Sequence, residues 1–176
     1  MTNNINLSLN DIDAFVFDFD GVLTNNLVYL DQNGKESVVC SRADGLAFDV
    51  LKKKGKPAYI LSTEKNLVVR ARAKKLNIPV LQGIDNKSEA ILGLASSKGY
   101  NLENIFYVGN DLNDFFVMQL CGHTACPADS HSKIKNISEV ILNSPGGSGV
   151  VRELLEEVLK LDFVKILHEK VKKERW

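Results

Sequence analysis

Cysteine is scarce in this chain: three residues in 176, Cys40, Cys121 and Cys126, with no CxxC pair among them. That scarcity speaks against a disulfide framework and for reduced thiols in a cytoplasmic protein. The three histidines stand at no recognisable metal-ligand spacing from the cysteines, which argues against a zinc site. No apolar run approaches the roughly 20 residues a membrane helix needs. The polar, Asn-rich stretch from Met1 to Asn10 lacks the basic region and apolar core of a secretion signal, and reads as an N-terminal extension. An excess of either charge is missing too. Lys+Arg and Asp+Glu are 22 each, so no global field favours nucleic acid or an anionic membrane as a partner. What remains is a chain with 44% hydrophobic and 25% charged residues, long enough for one globular domain spanning 1–176.

Short apolar runs alternate with helix-like segments, the pattern of an α/β protein with a doubly wound parallel sheet. Strands are expected near 13–18, 57–62, 79–82, 105–109, 123–126 and 139–142, and helices near 44–54, 66–76, 87–98, 112–120 and 150–160. The last helix is the clearest, with Val150, Leu154, Val158 and Val151, Leu155, Leu159 in two adjacent rows. Leu27–Leu30 and Ser37–Cys40 flank Asp31-Gln32-Asn33-Gly34, and Asn-Gly between strand-like runs predicts a hairpin flap. The tail 161–176 is amphipathic through Phe163, Leu167 and Val171, and suits docking on its own domain or on a neighbouring subunit.

Asp18-Phe19-Asp20-Gly21-Val22-Leu23-Thr24 carries the most chemical information. The apolar run Ala14-Phe15-Val16-Phe17 leads straight into two acids, and a buried strand has no use for unpaired charge. Strand alternation alone would send the two side chains to opposite faces, so Gly21 is expected to let the chain turn and re-aim them. Ligands of parallel sheets bind at such carboxyl ends. Three further strand or helix ends bear polar groups: Ser62 and Thr63; Asp85-Asn86-Lys87; and Gly109-Asn110-Asp111-Leu112-Asn113-Asp114. A carboxylate nucleophile, a hydroxyl, an ammonium and an oxygen-rich loop are the parts that phosphoryl transfer through an aspartyl phosphate requires. Taken singly, Ser62 or Thr63 would read as a turn, Lys87 as solvated and Asp114 as a surface residue.

In this order and spacing the four motifs resemble those of the haloacid dehalogenase (HAD) superfamily. The resemblance implies a Rossmann-like sheet, with Asp18 as nucleophile and Asp20 as general acid and then base. It also implies that Ser62 and Thr63 bind phosphate oxygens and that Lys87 neutralises them. Mg²⁺ would be held by Asp18, the Asp20 carbonyl and the loop of Asn110 and Asp111, with Asp114 in a supporting role. Asn110 stands where the family usually has Asp, which leaves the ligand set one negative charge fewer and implies weaker metal affinity; relatives from sialic-acid pathways resemble the chain in this.

The intervals between Asp20 and Ser62, and between Ser62 and Lys87, are too short for a cap domain. An open site fits a large substrate or cover by a partner subunit. The likeness therefore narrows to capless phosphatases of sugar-acid phosphates. In these, four subunits assemble through their flaps into a homotetramer. Arg42-Ala43-Asp44-Gly45 and Gly146-Gly147-Ser148-Gly149 fit that group, which places Asp44 at the substrate. The 3-deoxy-D-manno-octulosonate 8-phosphate phosphatases of lipopolysaccharide synthesis commonly have Gly-Arg after the strand-end hydroxyl, so by that resemblance Glu64 replaces a cation. It resembles instead the nonulosonate 9-phosphate phosphatases, in which Glu64 would meet sugar hydroxyls while Arg72 and Lys75 faced the substrate carboxylate or Glu64. A solvated basic helix is the plainer reading of Arg72 and Lys75. The expected activity is Mg²⁺-dependent hydrolysis of the terminal phosphate of a nine-carbon 2-keto-3-deoxy acid, with the eight-carbon acid as alternative. A catalytically weak HAD-type oligomerisation module is the second alternative.

Overall fold

The computed structural model describes residues 7–169. Its strands are β1 (Ala14–Phe17), β2 (Tyr29–Leu30), β3 (Glu36–Ser37), β4 (Ala58–Ser62), β5 (Val80–Gln82), β6 (Ile105–Val108), β7 (His123–Cys126) and β8 (Val140–Ile141). Six of these form one parallel sheet in the order β5-β4-β1-β6-β7-β8. The chain leaves β1 toward one edge and later crosses to the other, so the strand order reverses between β1 and β6. This is the doubly wound α/β fold, and the reversal is where such sheets open a crevice. Helices α1 (Arg42–Lys53), α2 (Leu67–Leu76), α3 (Lys87–Lys98), α4 (Phe115–Leu120), α5 (Ser132–Ile137), α6 (Val150–Glu153) and α7 (Phe163–His168) cover the sheet. Among the described residues no helix is long and apolar enough to cross a membrane.

Alternation along the strands divides the core. Phe15 and Phe17 face one cluster with Phe48 of α1, Val69 of α2 and Val150 and Val151 of α6. Ala14, Val16, Tyr59 and Tyr107 face a second cluster with Ile91 of α3, Val117 of α4 and Ile134 of α5. Fully burying each of these large side chains contributes about 1.5–3 kcal/mol.

The elements depart from the sequence expectations in four places. β1 ends at Phe17, because Leu23 N–H and Thr24 N–H both donate to Phe19 O and already wind the chain at Asp20. The flap strands are only two residues each, pairing Tyr29 with Ser37 and Leu30 with Glu36. Leu27, Val28, Tyr29 and Leu30 are 54% to 67% exposed and find no core that would extend the ladder. The last helix widens into a π turn over Leu154–Val158 after α6. Helix α5 was not expected, since Ile134 is its one buried side chain. The tail docks on its own domain as far as it is described: Phe163 and Ile166 join the first core cluster, and Lys53 Nζ donates to Leu167 O at 2.5 Å. Val171 lies outside the described residues.

Candidate active site

The carboxyl ends of β1, β4 and β6 and the start of α3 bring their polar residues to one place. Asp18 shares the parity of Val16 and so leans to the side of the sheet where α3 begins. Lys87 is the first residue of α3, whose N-terminus is capped by the Asn86 side chain. The Lys87 ammonium is buried, 2.8 Å from Asp18 Oδ1 and 2.7 Å from Asp114 Oδ1. Asp114 is fully buried and accepts three further bonds. Its Oδ1 also takes the Tyr107 hydroxyl at 2.8 Å, and its Oδ2 takes the N–H groups of Asn110 at 2.9 Å and Asp111 at 3.5 Å. One carboxylate thus fixes both the lysine and the loop after β6.

Burial raises Asp18 to about 8, and the Asp114 charge adds to this, against the opposing pull of Lys87. Burial also disfavours the Lys87 ammonium, but the carboxylates of Asp18 and Asp114 raise its pKa above the usual value. Asp20, half-buried, is raised by burial and then by the Glu64 charge. Buried acids around a single buried cation leave negative charge uncompensated, and a divalent cation reverses this.

The oxygen geometry fits such a cation. The outer atom of the Asn110 amide that faces the acids lies 2.8 Å from Asp20 O and 3.3 Å from Asp18 Oδ2. Mg²⁺ bound at about 2.0–2.1 Å in octahedral geometry requires neighbouring oxygens about 3 Å apart. With the amide oxygen inward, Asp18 Oδ2, Asp20 O and Asn110 Oδ1 present such a face; with the amide nitrogen inward, the same contacts are hydrogen bonds. Gly21 is obligatory beside this face. Its φ is +81°, and a Cβ there would lie 1.9 Å from Asn110 Nδ2.

Above it lies a cavity of about 380 Å³ lined by Asp18, Asp20, Asn26, Thr63, Asn110, Asp111, Leu112 and Asn113. Ser62, next to the lining residue Thr63, is buried, and its Oγ accepts from Glu64 N–H at 3.1 Å, which leaves the hydroxyl proton to donate. Asp111 Oδ1 caps the following turn through Leu112 N–H. Glu64 accepts from Asn66 N–H at 2.6 Å and acts on Asp20 by its charge.

Three expected substrate residues are placed elsewhere. Asp44 is buried and accepts from Val151 N–H at 2.9 Å and Arg152 N–H at 3.3 Å. It caps α6 and does not face the cavity, because an acid in the first turn of α1 meets the free N–H groups of a neighbouring helix. The Arg72 guanidinium donates to Ser41 O at 2.6 Å, and Arg72 and Lys75 line a separate groove with Arg42 and Asp49 between α1 and α2. Neither pairs with Glu64, since α2 turns its basic face toward α1.

Two contributors went unnoticed in the sequence. Tyr107 is hidden by strand alternation until Asp114 is placed. Thr24 is fully buried, its Oγ1 3.5 Å from Asp20 Oδ1 and accepting the N–H groups of Gly21 and Asn26, both at 3.2 Å. A Thr four residues after an acid in a glycine turn was the available signal. The glycine run also has its reason here. A Cβ on Gly146 would lie 2.3 Å from Gly21 O, so these residues pack against the loop that carries Asp20.

A family profile described as haloacid dehalogenase-like hydrolase matches residues 49–154. The chain belongs to that family. It is 32% identical over 160 residues to 3-deoxy-D-manno-octulosonate 8-phosphate phosphatase of Salmonella typhi, covering 88% of this chain and 85% of the relative. Among solved structures, a HAD family hydrolase from Streptomyces avermitilis is 40% identical with TM-score 0.87, covering 91% and 92% of the two chains. The 3-deoxy-D-manno-octulosonate 8-phosphate phosphatase of Moraxella catarrhalis, solved with a magnesium ion, a phosphate ion and a KDO molecule, is 28% identical with TM-score 0.83. That likeness covers 93% of this chain and 94% of the other. The HAD-like hydrolase frame therefore spans the residues of the acidic cluster as well as the profiled segment.

Proposed function

We propose that the chain is a metal-dependent phosphatase that removes the terminal phosphate of a 3-deoxy-2-keto sugar acid, the eight-carbon 3-deoxy-D-manno-octulosonate 8-phosphate first among them. The observation that carries the reaction type is the contact of buried Lys87 with both Asp18 and Asp114, beside Asp20 O and the Asn110 amide. The likeness to octulosonate phosphatases over 88% of the chain supports the eight-carbon acid over the nine-carbon acid expected from Glu64. Glu64 beside Asp20 supports the nine-carbon acid as a second reading.

In this reading Asp18 attacks phosphorus and carries the phosphoryl group while the ester oxygen departs. Lys87 and the hydroxyls of Ser62 and Thr63 hold the phosphate oxygens. Asp20 delivers a proton to the departing oxygen and then takes one from the water that cleaves the acyl phosphate. Burial favours its protonated form, as the first task needs. Asp18, the Asp20 carbonyl and Asn110 would hold Mg²⁺, which supplies charge neutralisation at the phosphate. Asp111 lines the same cavity, which supports a role directly or through water. The exposed apolar flap, Leu27 to Leu30, supports assembly into a homotetramer, and the neutral overall charge gives no support to nucleic acid as a partner.

Phosphate release from eight- and nine-carbon sugar-acid phosphates, with and without Mg²⁺, tests the proposal. Turnover of the eight-carbon ester at least about tenfold above the nine-carbon one is expected. The reverse order would favour the second reading, and no release from either would reject the substrate class.

A further inference from the structure

Asn26 has φ +61°, the left-handed region, at the point where the chain leaves the acidic turn for the flap. For a residue with a side chain this conformation costs about 1–2 kcal/mol relative to ordinary backbone, less for Asn when its short amide bonds locally. Here that local compensation is absent. The Asn26 N–H donates to Thr24 Oγ1 at 3.2 Å, but the side-chain amide has no hydrogen-bond partner among the described residues. Glycine would meet the same backbone demand without strain.

The position explains what the amide is for. Asn26 lines the same cavity as Asp18, Asp20 and Thr63, and its backbone hangs on Thr24, whose hydroxyl lies 3.5 Å from Asp20 Oδ1. A phosphate seated against Asp18 and Lys87, with its ester oxygen at Asp20, leaves the rest of the substrate in this cavity, which Asn26 lines. Residues in sparsely populated backbone regions cluster at ligand sites because surrounding structure holds them there. An amide offers both a donor and an acceptor, the match for a hydroxyl, which is both as well.

We infer that the Asn26 side chain is a specificity-determining residue that hydrogen-bonds a hydroxyl on the carbon chain next to the phosphate ester. The inference rests on the phosphatase reading and narrows it to polyhydroxylated phosphates. It also makes Asn26, with Thr63, part of the lining along which the sugar chain is read.

The test compares Asn26→Gly with the parent on two substrates, 3-deoxy-D-manno-octulosonate 8-phosphate and p-nitrophenyl phosphate, which has no hydroxyl to bind. Glycine keeps the left-handed backbone, so the variant is expected to fold with an unchanged or higher Tm. Loss of one hydrogen bond at the sugar lowers kcat/KM for the octulosonate ester by roughly three- to thirteenfold, mainly through KM. On p-nitrophenyl phosphate the loss stays within about twofold on the same ground. Equal loss on both esters would show a structural role for Asn26 and overturn the inference, as would no loss on either. A parent that cleaves neither ester would reject the phosphatase reading itself, and the inference with it. A parent that cleaves only p-nitrophenyl phosphate would sink the hydroxyl-reading role and leave the phosphatase reading standing.

Discussion

Removing Asp114 should unlatch the site from within. Its two oxygens hold Lys87 Nζ, the Tyr107 hydroxyl and the Asn110 N–H at 2.7 to 2.9 Å, all buried. In Asp114→Ala the tyrosine hydroxyl and the amide each lose an acceptor, at roughly 1–3 kcal/mol apiece. Lys87 keeps Asp18, so the roughly 3–5 kcal/mol for stripping a buried ion of its partner is not incurred in full. A total near 4 kcal/mol is expected, about 8–16 °C in Tm for a domain of this size. Urea unfolding followed by far-ultraviolet circular dichroism measures it. Tyr107→Phe alone should cost about 1 kcal/mol. In the Asp114→Ala background it should cost nothing or restore about 1 kcal/mol, because it deletes the orphaned hydroxyl. A loss below about 1 kcal/mol for Asp114→Ala, or strict additivity of the two changes, would refute the reasoning.

Other consequences can be measured separately. Burial pushes the Asp44 carboxyl up to about 6 in spite of its bonds to Arg152 N–H and Val151 N–H. Its folded pKa lies above the unfolded value of about 3.9, so protonation stabilises the fold; that stability is full below about pH 4 and is lost as pH rises through 6. Asp44→Asn, which cannot ionise, should gain on the parent by roughly 2 kcal/mol between pH 4 and pH 7 in urea unfolding, and a constant difference would contradict this. Chelation with EDTA should abolish phosphate release and added Mg²⁺ restore it; Asn110→Asp, with one more charge at the oxygen face, should tighten Mg²⁺ by roughly three- to thirtyfold in titration calorimetry. Gly146→Ala places a Cβ 2.3 Å from Gly21 O, so stability should fall by roughly 1–3 kcal/mol and turnover with it; unchanged Tm and turnover would show that the loop gives way freely.

Sequence alone carried the centre of the sheet well, because β1, β4 and β6 are short apolar runs ending in polar residues. The motif order brought Asp18, Lys87, Asn110 and Asp114 together in advance, since strand ends of one parallel sheet share one edge. What it could not carry were contacts between distant segments. Asp44 sits beside a helix-opening Arg42-Ala43, and nothing local reveals that α6 will present its N–H groups there. Arg72 and Lys75 follow helical spacing that fixes their common side but not which neighbour that side meets. The flap was legible as a turn and overstated in length, because Asn-Gly fixes the reversal while strand length depends on packing that the exposed Leu27 and Leu30 lack. Tyr107 and Thr24 act through partners that are themselves remote or masked by turn geometry.

The central claim is that Asp18 carries the phosphoryl group. Acid-quenching the enzyme during turnover and mapping its peptides by mass spectrometry tests this most directly. A phosphoryl adduct on the peptide containing Asp18 is expected, absent in Asp18→Asn, which should fold normally and release no phosphate. Undiminished phosphate release from Asp18→Asn, or an adduct on another residue, would contradict it.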